Sequence, residues 1–321
     1  MNITVLDAAT LGGDLDLSVL QMNGAHRLTV YQNTSAEEIS ARVSDADVVI
    51  LNKIKLGEHN LPPVGEGNTK LICVTATGYD NIDLSACRRR GIGVCNVVGY
   101  SSDSVAQMTV AIVLNLVNHL DEYTSFVRSG EYSASGCANR LTPVFHELRG
   151  KTWGILGLGR IGKQTARIAE AFGCRVIACK RTPEEGFECV DMETLFRESD
   201  ILTVHVPLSD ATRGLVDEDK LNLMKPSAVL VNMARGAVTD EAAVARAVLD
   251  GRIAAFGADV YSVEPFGTDH PFTALLGLSN VCLTPHASWG AYEARERCIL
   301  EIVENIKSYE NGDTRCRVDL L

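Results

Sequence analysis

Ten short runs of β-branched and apolar residues, nearly unbroken by polar positions, set the strongest limit on how this chain can fold. They are ITVL (3–6), DVVIL (47–51), LICVT (71–75), GVCNV (93–97), TWGIL (152–156), RVIAC (175–179), ILTVH (201–205), AVLVN (228–232), AAFGAD (254–259) and VCLT (281–284). A strand with one wet face alternates apolar and polar residues, whereas a strand covered on both faces does not. Stretches with helical periodicity lie between many of the runs, at 161–172, 191–198 and 241–250 among others. Strand and helix in alternation predict an α/β protein with parallel sheets sandwiched between helices. A length of 321 residues leaves room for two such units.

The bulk properties narrow the class of protein. Hydrophobic residues at 46% and charged ones at 22% exclude a disordered chain. A formal net charge of −11 argues against a nucleic-acid or anionic-membrane surface, which would need clustered Lys and Arg. Ten cysteines invite a disulfide reading, but the N-terminus, MNITVLDAAT, lacks a secretory signal, and no Cys-x-x-Cys pair occurs. Cytoplasmic, reduced thiols are expected. The apolar stretch SVAQMTVAIVLNLVNHL (104–120) is interrupted by Gln107, Asn115 and Asn118, and it is shorter than the roughly 20 residues that span a bilayer. It reads as a buried helix, and the seam between the two units is expected near its start. No metal-ligand constellation is visible.

One turn carries binding chemistry. Gly157, Gly159 and Gly162 form G-x-G-x-x-G, enclosing Arg160 and Ile161, directly after an apolar strand and at the mouth of a helix. The first glycine permits a tight turn, the second lets backbone approach a pyrophosphate, and the third allows close helix packing. The helix N-terminus adds N–H groups and a positive dipole end, so a dinucleotide site is predicted. At the end of the next strand, where an acid would bind the adenine ribose, the chain has Lys180, Arg181 and Thr182. Cations there remove the repulsion of a 2′-phosphate and pair with it, which favours NADP over NAD. The plainer reading is a solvated loop tip neutralised by Glu184 and Glu185.

Three further stretches place reactive side chains after strands: Arg235 in VNMARGAVTDE, Glu264 in ADVYSVEPFGTDHP and His286 in LTPHASWG. Ligands of parallel sheets bind at the C-terminal strand ends, where these three would converge. Each alone has a duller explanation: a core histidine, a turn acid before Pro265, a surface cation before Gly236.

Taken together, TGYDNIDL (77–84), GLGRIG (157–162), HVPLSDATRGL (205–215), NMARGAVTDE (232–241), DVYSVEP (259–265) and TPH (284–286) make the chain resemble the D-isomer-specific 2-hydroxyacid dehydrogenase family over essentially its whole length. GYSSDSVAQMT (99–109), and SVEP (262–265) followed by TPHASWGAYEARER (284–297), are most similar to the glycerate dehydrogenase, or hydroxypyruvate reductase, branch. The resemblance implies two doubly wound, Rossmann-like domains. A segmented substrate domain (1–100 plus 292–321) would clasp a central dinucleotide-binding domain (101–291), and hinge closure would exclude water. It implies a homodimer formed through the helix near 104–120 and the loop after it.

The same resemblance assigns roles. His286 would be the proton donor in reduction and acceptor in oxidation, a task suited to an imidazole, which ordinarily titrates near about 6.5. Glu264 would orient it, and Arg235 would polarise the carbonyl and pair with the substrate carboxylate. Backbone N–H groups of Gly78 and Tyr79 would hold that carboxylate. Thr77 and Thr109 would lie near the nicotinamide, Met233 and Ala234 along it, Asp259 at its carboxamide, and Val206 and Pro207 beside the adenine. Much of the family has Asp at position 180, so Lys180 is the main departure. The implied enzyme is an NAD(P)-dependent D-2-hydroxyacid dehydrogenase reducing hydroxypyruvate or glyoxylate. The alternatives are another 2-oxo acid, 3-phosphoglycerate included, or a dinucleotide-responsive corepressor-like binding protein.

Overall fold

The computed structural model of the chain describes residues 1–321 and contains two compact units, 1–101 with 290–321 and 102–289. The first unit holds β1 (Asn2–Val5), β2 (Arg27–Val30), β3 (Val48–Leu51), β4 (Leu71–Val74) and β5 (Gly93–Cys95). They form one parallel sheet in the order β2-β1-β3-β4-β5. Its helices are α1 (Ala36–Ser44), α2 (Leu84–Arg89) and the C-terminal helix Tyr292–Glu310. Local chemistry starts α1 and α2. Ser35 and Glu38 form a reciprocal capping box for α1, and the Asp83 carboxylate accepts the Ala86 N–H at 2.9 Å to open α2. Val49, Leu51, Ile72, Val74 and Val94 are fully buried on the sheet, against Val43 of α1 and Cys87 of α2.

The second unit opens with α3 (Ser102–Val117), α4 (Leu120–Arg128) and α5 (Glu131–Ser135). The apolar stretch 104–120, read as one helix from sequence, is therefore divided. His119 sits in the left-handed region at φ 53°, a conformation that breaks the helix and that Asn and His tolerate better than most residues. The sheet follows: β6 (Thr152–Leu156), β7 (Arg175–Cys179), β8 (Glu188–Cys189), β9 (Ile201–Val204), β10 (Val229–Asn232), β11 (Ala255–Ala258) and β12 (Val281–Leu283). Between them run α6 (Arg160–Ala171), α7 (Met192–Glu198), α8 (Glu218–Leu223) and α9 (Glu241–Leu249).

All strand pairs are parallel, in the order β12-β11-β10-β9-β6-β7-β8. The chain leaves β6 toward β7 and β8, then returns past β6 to β9 and continues outward. That reversal opens a crevice at the C-terminal ends of β6 and β9. Continuous apolarity of the strands has the cause expected: Leu202 and Val204 of β9 face one core while Ile201 faces the other. Full burial of each such side chain stabilises by about 1.5–3 kcal/mol. The polar exception on β9, Thr203, is satisfied by the indole N–H of Trp153 at 3.2 Å. All ten cysteines are free, and no helix is long and apolar enough to cross a membrane.

Candidate active site

The glycine turn lies at the reversal point. Gly157 has φ 100°, and a Cβ there would meet the Val206 backbone nitrogen at 2.7 Å and the His205 carbonyl carbon at 2.8 Å. A Cβ on Gly162 would lie 2.2 Å from the Gly157 oxygen, so α6 can approach the turn only without a side chain. Gly159 is different: no atom lies within 4 Å of its Cβ position, and no side chain caps the start of α6. Open space above bare backbone, with a helix N-terminus behind it, fits a pyrophosphate. Val206 and Pro207 continue from this point. His205, just past β9, has ring nitrogens that are buried without a partner, and burial pushes its imidazole down to about 3, so it is neutral here.

At the end of β7, Lys180, Arg181 and Thr182 are exposed. The Glu184 carboxylate bridges Lys163 Nζ and Lys180 Nζ, and these two ammonium groups, Lys163 foremost, hold its carboxyl below the usual range. Glu184 thus neutralises Lys180, as the loop-tip reading has it, but it also draws in a second cation from α6. Lys163 lies directly after the glycine motif, and nothing in its spacing singled it out.

The reactive side chains follow the three adjacent strands β10, β11 and β12. Arg235 comes after β10, in a turn wrapped around the buried Asn232 amide, which donates to the Arg235 carbonyl at 3.0 Å and accepts the Ala234 N–H at 3.0 Å. The Arg235 guanidinium donates to the Ala234 carbonyl at 2.9 Å. A Cβ on Gly236 would lie 2.0 Å from backbone atoms of both Tyr261 and Ser262, so the turn after β10 lies directly on the loop after β11. That loop carries Glu264. Glu264 Oε1 accepts the Tyr261 N–H at 3.0 Å, and Oε2 lies 2.6 Å from His286 Nδ1.

His286 adopts φ 52°, a left-handed conformation that costs about 1–3 kcal/mol for a residue other than glycine. The buried Asp259 carboxylate holds the segment in place. It accepts the Thr284 hydroxyl at 2.5 Å, the Ala287 N–H at 2.9 Å and the Ser288 N–H at 2.9 Å. Tyr261 adds a hydrogen bond from its hydroxyl to the Thr284 carbonyl at 2.8 Å. Asp259 thereby acts on both sides of the histidine, a role its sequence position did not reveal. With Nδ1 engaged by Glu264, the imidazole is held in one orientation beyond the end of β12. The His286 and Glu264 side chains are 20% and 28% exposed, shielded enough to couple yet reachable.

The remaining expected residues are placed as follows. Met233 and Ala234 continue β10 and are buried, with the Met233 N–H on the Val204 carbonyl at 3.1 Å. Thr109 is buried on α3, its hydroxyl turned to the Val105 carbonyl at 2.7 Å. Arg160 and Ile161 form the first turn of α6. Thr77, Gly78 and Tyr79 belong to the other unit, in the loop after β4, where the Thr77 hydroxyl donates to the Val97 carbonyl at 2.9 Å.

Comparison with known proteins adds to this geometry. Residues 110–288 match the family model described as D-isomer specific 2-hydroxyacid dehydrogenase, NAD binding domain. The chain is 34% identical over 299 residues to glycerate dehydrogenase of Methylorubrum extorquens, covering 93% of this chain and 94% of that one. It is 41% identical over 256 residues to glyoxylate reductase of Aeropyrum pernix, covering 76% and 74%. Among solved structures, an NADPH-dependent glyoxylate/hydroxypyruvate reductase of Sinorhizobium meliloti, in complex with NADP and malonate, superposes with a TM-score of 0.83 at 30% identity, covering 99% of this chain and 96% of that one.

Proposed function

Since the chain belongs to the D-isomer-specific 2-hydroxyacid dehydrogenase family, we propose that it reduces hydroxypyruvate or glyoxylate to the corresponding 2-hydroxy acid and uses NADPH in preference to NADH. It is an NAD(P)-dependent oxidoreductase acting on the CH–OH group. The observation that carries the reading is the 2.6 Å contact of His286 Nδ1 with Glu264, beside Arg235 on the next strand end but one.

Reduction of a 2-oxo acid requires hydride at the carbonyl carbon, a proton at the carbonyl oxygen and an anchor for the carboxylate. A reduced nicotinamide, when bound, would supply the hydride. His286 Nε2 delivers the proton, Glu264 stabilises the imidazolium before transfer, and Arg235 meets the charge that develops on oxygen. Arg235 also pairs with the carboxylate. Gly157, Gly159, Arg160, Ile161 and Gly162 would hold the pyrophosphate. Val206 and Pro207 would flank the adenine, and Thr109, Met233, Ala234 and Asp259 would hold the nicotinamide end. Relatives named for glycerate and glyoxylate support a small substrate side chain.

Lys180, Arg181 and Thr182 support the NADPH preference, with Lys163 a further cation on the carboxylate, Glu184, that Lys180 also meets. A lost charge-assisted hydrogen bond costs about 1.5–3 kcal/mol, so Lys180→Asp and Arg181→Ala are each expected to lower kcat/KM with NADPH by about 10- to 100-fold while sparing NADH. Steady-state hydroxypyruvate reduction with both cofactors checks this. An NADH preference insensitive to both substitutions would make the cations solvated loop residues and leave the enzyme class standing.

The reading includes a cytoplasmic homodimer. Ten free thiols suit a reducing compartment. Helix α4 has no buried residue, and Leu120 and Val127 on α4 and Leu141, Val144 and Phe145 in the loop after α5 are exposed, apolar side chains of the kind a second copy would cover.

A further inference from the structure

Next to the Glu264 loop lies a second, buried carboxylate that the reaction as described does not use. Glu241, the first residue of α9, is 8% exposed. Its Oε1 accepts the Ser262 N–H at 2.8 Å, and its Oε2 accepts the Ser262 hydroxyl and His270 Nε2, the latter at 3.0 Å. His270 is buried too, and its Nδ1 accepts the Phe272 N–H at 3.2 Å. With Nδ1 accepting, the ring proton sits on Nε2 and points at Glu241. Burying a carboxylate is costly unless donors converge on it, and here three do. All three come from the segment after β11. Ser262 follows Tyr261, whose N–H holds Glu264 Oε1, and it stands two residues before Glu264 itself. The rings of His270, Phe266 and Tyr261 close over the same segment, with centroids 4.7 Å apart for His270–Phe266 and for Tyr261–Phe266.

We propose that Glu241 and His270 are positioning residues for the dehydrogenase reaction: they clamp Ser262, and through the Tyr261 N–H they fix the Glu264 carboxylate against His286 Nδ1. The inference rests on the reading of His286 and Glu264 given above. A carboxylate that drifts lets the imidazole turn, and displacements of about 1 Å at a reacting group cost up to about 100-fold in rate.

The test is a double-mutant cycle on hydroxypyruvate reduction. Glu241→Gln is expected to lower kcat about tenfold with the cofactor dissociation constant unchanged, and to have no further effect in a Glu264→Gln background. His270→Gln keeps an N–H donor toward Glu241 and is expected to retain kcat, whereas His270→Leu keeps apolar volume and is expected to lose it. The His270 pair decides the matter if Glu241→Gln does not fold. Equal losses in both backgrounds, or equal behaviour of His270→Gln and His270→Leu, would overturn the inference while the dehydrogenase reading stands. Absence of turnover by the wild-type enzyme on any 2-oxo acid would overturn both.

Discussion

Replacing His286 with asparagine is expected to lower kcat for hydroxypyruvate reduction by about 10²- to 10⁴-fold, the usual worth of a general acid, and to leave the cofactor dissociation constant within about twofold. Asparagine is the informative substitution because position 286 has φ 52°, a region asparagine enters readily. It also keeps a polar group near Glu264. An alanine at this site would add backbone strain to the loss of the imidazole, and the two effects would be confounded. Steady-state kinetics with cofactor binding measured separately checks the expectation. A loss of kcat below tenfold would place the proton donor elsewhere.

The second large effect belongs to Arg235. Lysine preserves the charge but not the planar fork, which here has one arm committed to the Ala234 carbonyl at 2.9 Å. A single ammonium cannot hold that backbone contact, pair with a carboxylate and face the developing oxyanion together. Arg235→Lys is therefore expected to lower kcat/KM by about 10²- to 10³-fold, the range found when one oxyanion donor is removed. Because one contact is made with the substrate and another only in the transition state, both KM and kcat should change. A change confined to KM would reduce Arg235 to a carboxylate anchor.

Much of this architecture is legible in the sequence because strands covered on both faces announce themselves by composition. Each of the ten apolar runs overlaps a strand, from Asn2–Val5 to Val281–Leu283. Two strands leave no such trace. RLTV at 27–30 lies at a sheet edge with no fully buried side chain, and Glu188–Cys189 is an edge pair of two residues. The helix break at His119 is invisible for a related reason: apolar periodicity runs through it, while the left-handed residue that divides α3 from α4 is a backbone event.

At the site, Arg235, Glu264 and His286 are legible because each comes just after an apolar run, and parallel sheets bring strand ends together. Their supports are not. Asp259 meets Thr284, Ala287 and Ser288 across about one strand-loop repeat, and Glu241 meets Ser262 and His270 at separations of 21 and 29 residues. No local periodicity encodes such pairs; only the register of β10, β11 and β12 does. Lys163 and Lys180 share Glu184 in the same way, from a helix and a strand end that the glycine turn draws together.

The strand-end triad is expected to turn over a 2-oxo acid with the D configuration in the product. The most direct measurement is chiral analysis of the product formed from hydroxypyruvate and reduced dinucleotide, with His286→Asn as the control. Accumulation of D-glycerate alone, abolished in a variant that still binds the dinucleotide, is the predicted result. Saturable dinucleotide binding with no turnover across a panel of 2-oxo acids would contradict the claim and make the protein a dinucleotide-responsive binder.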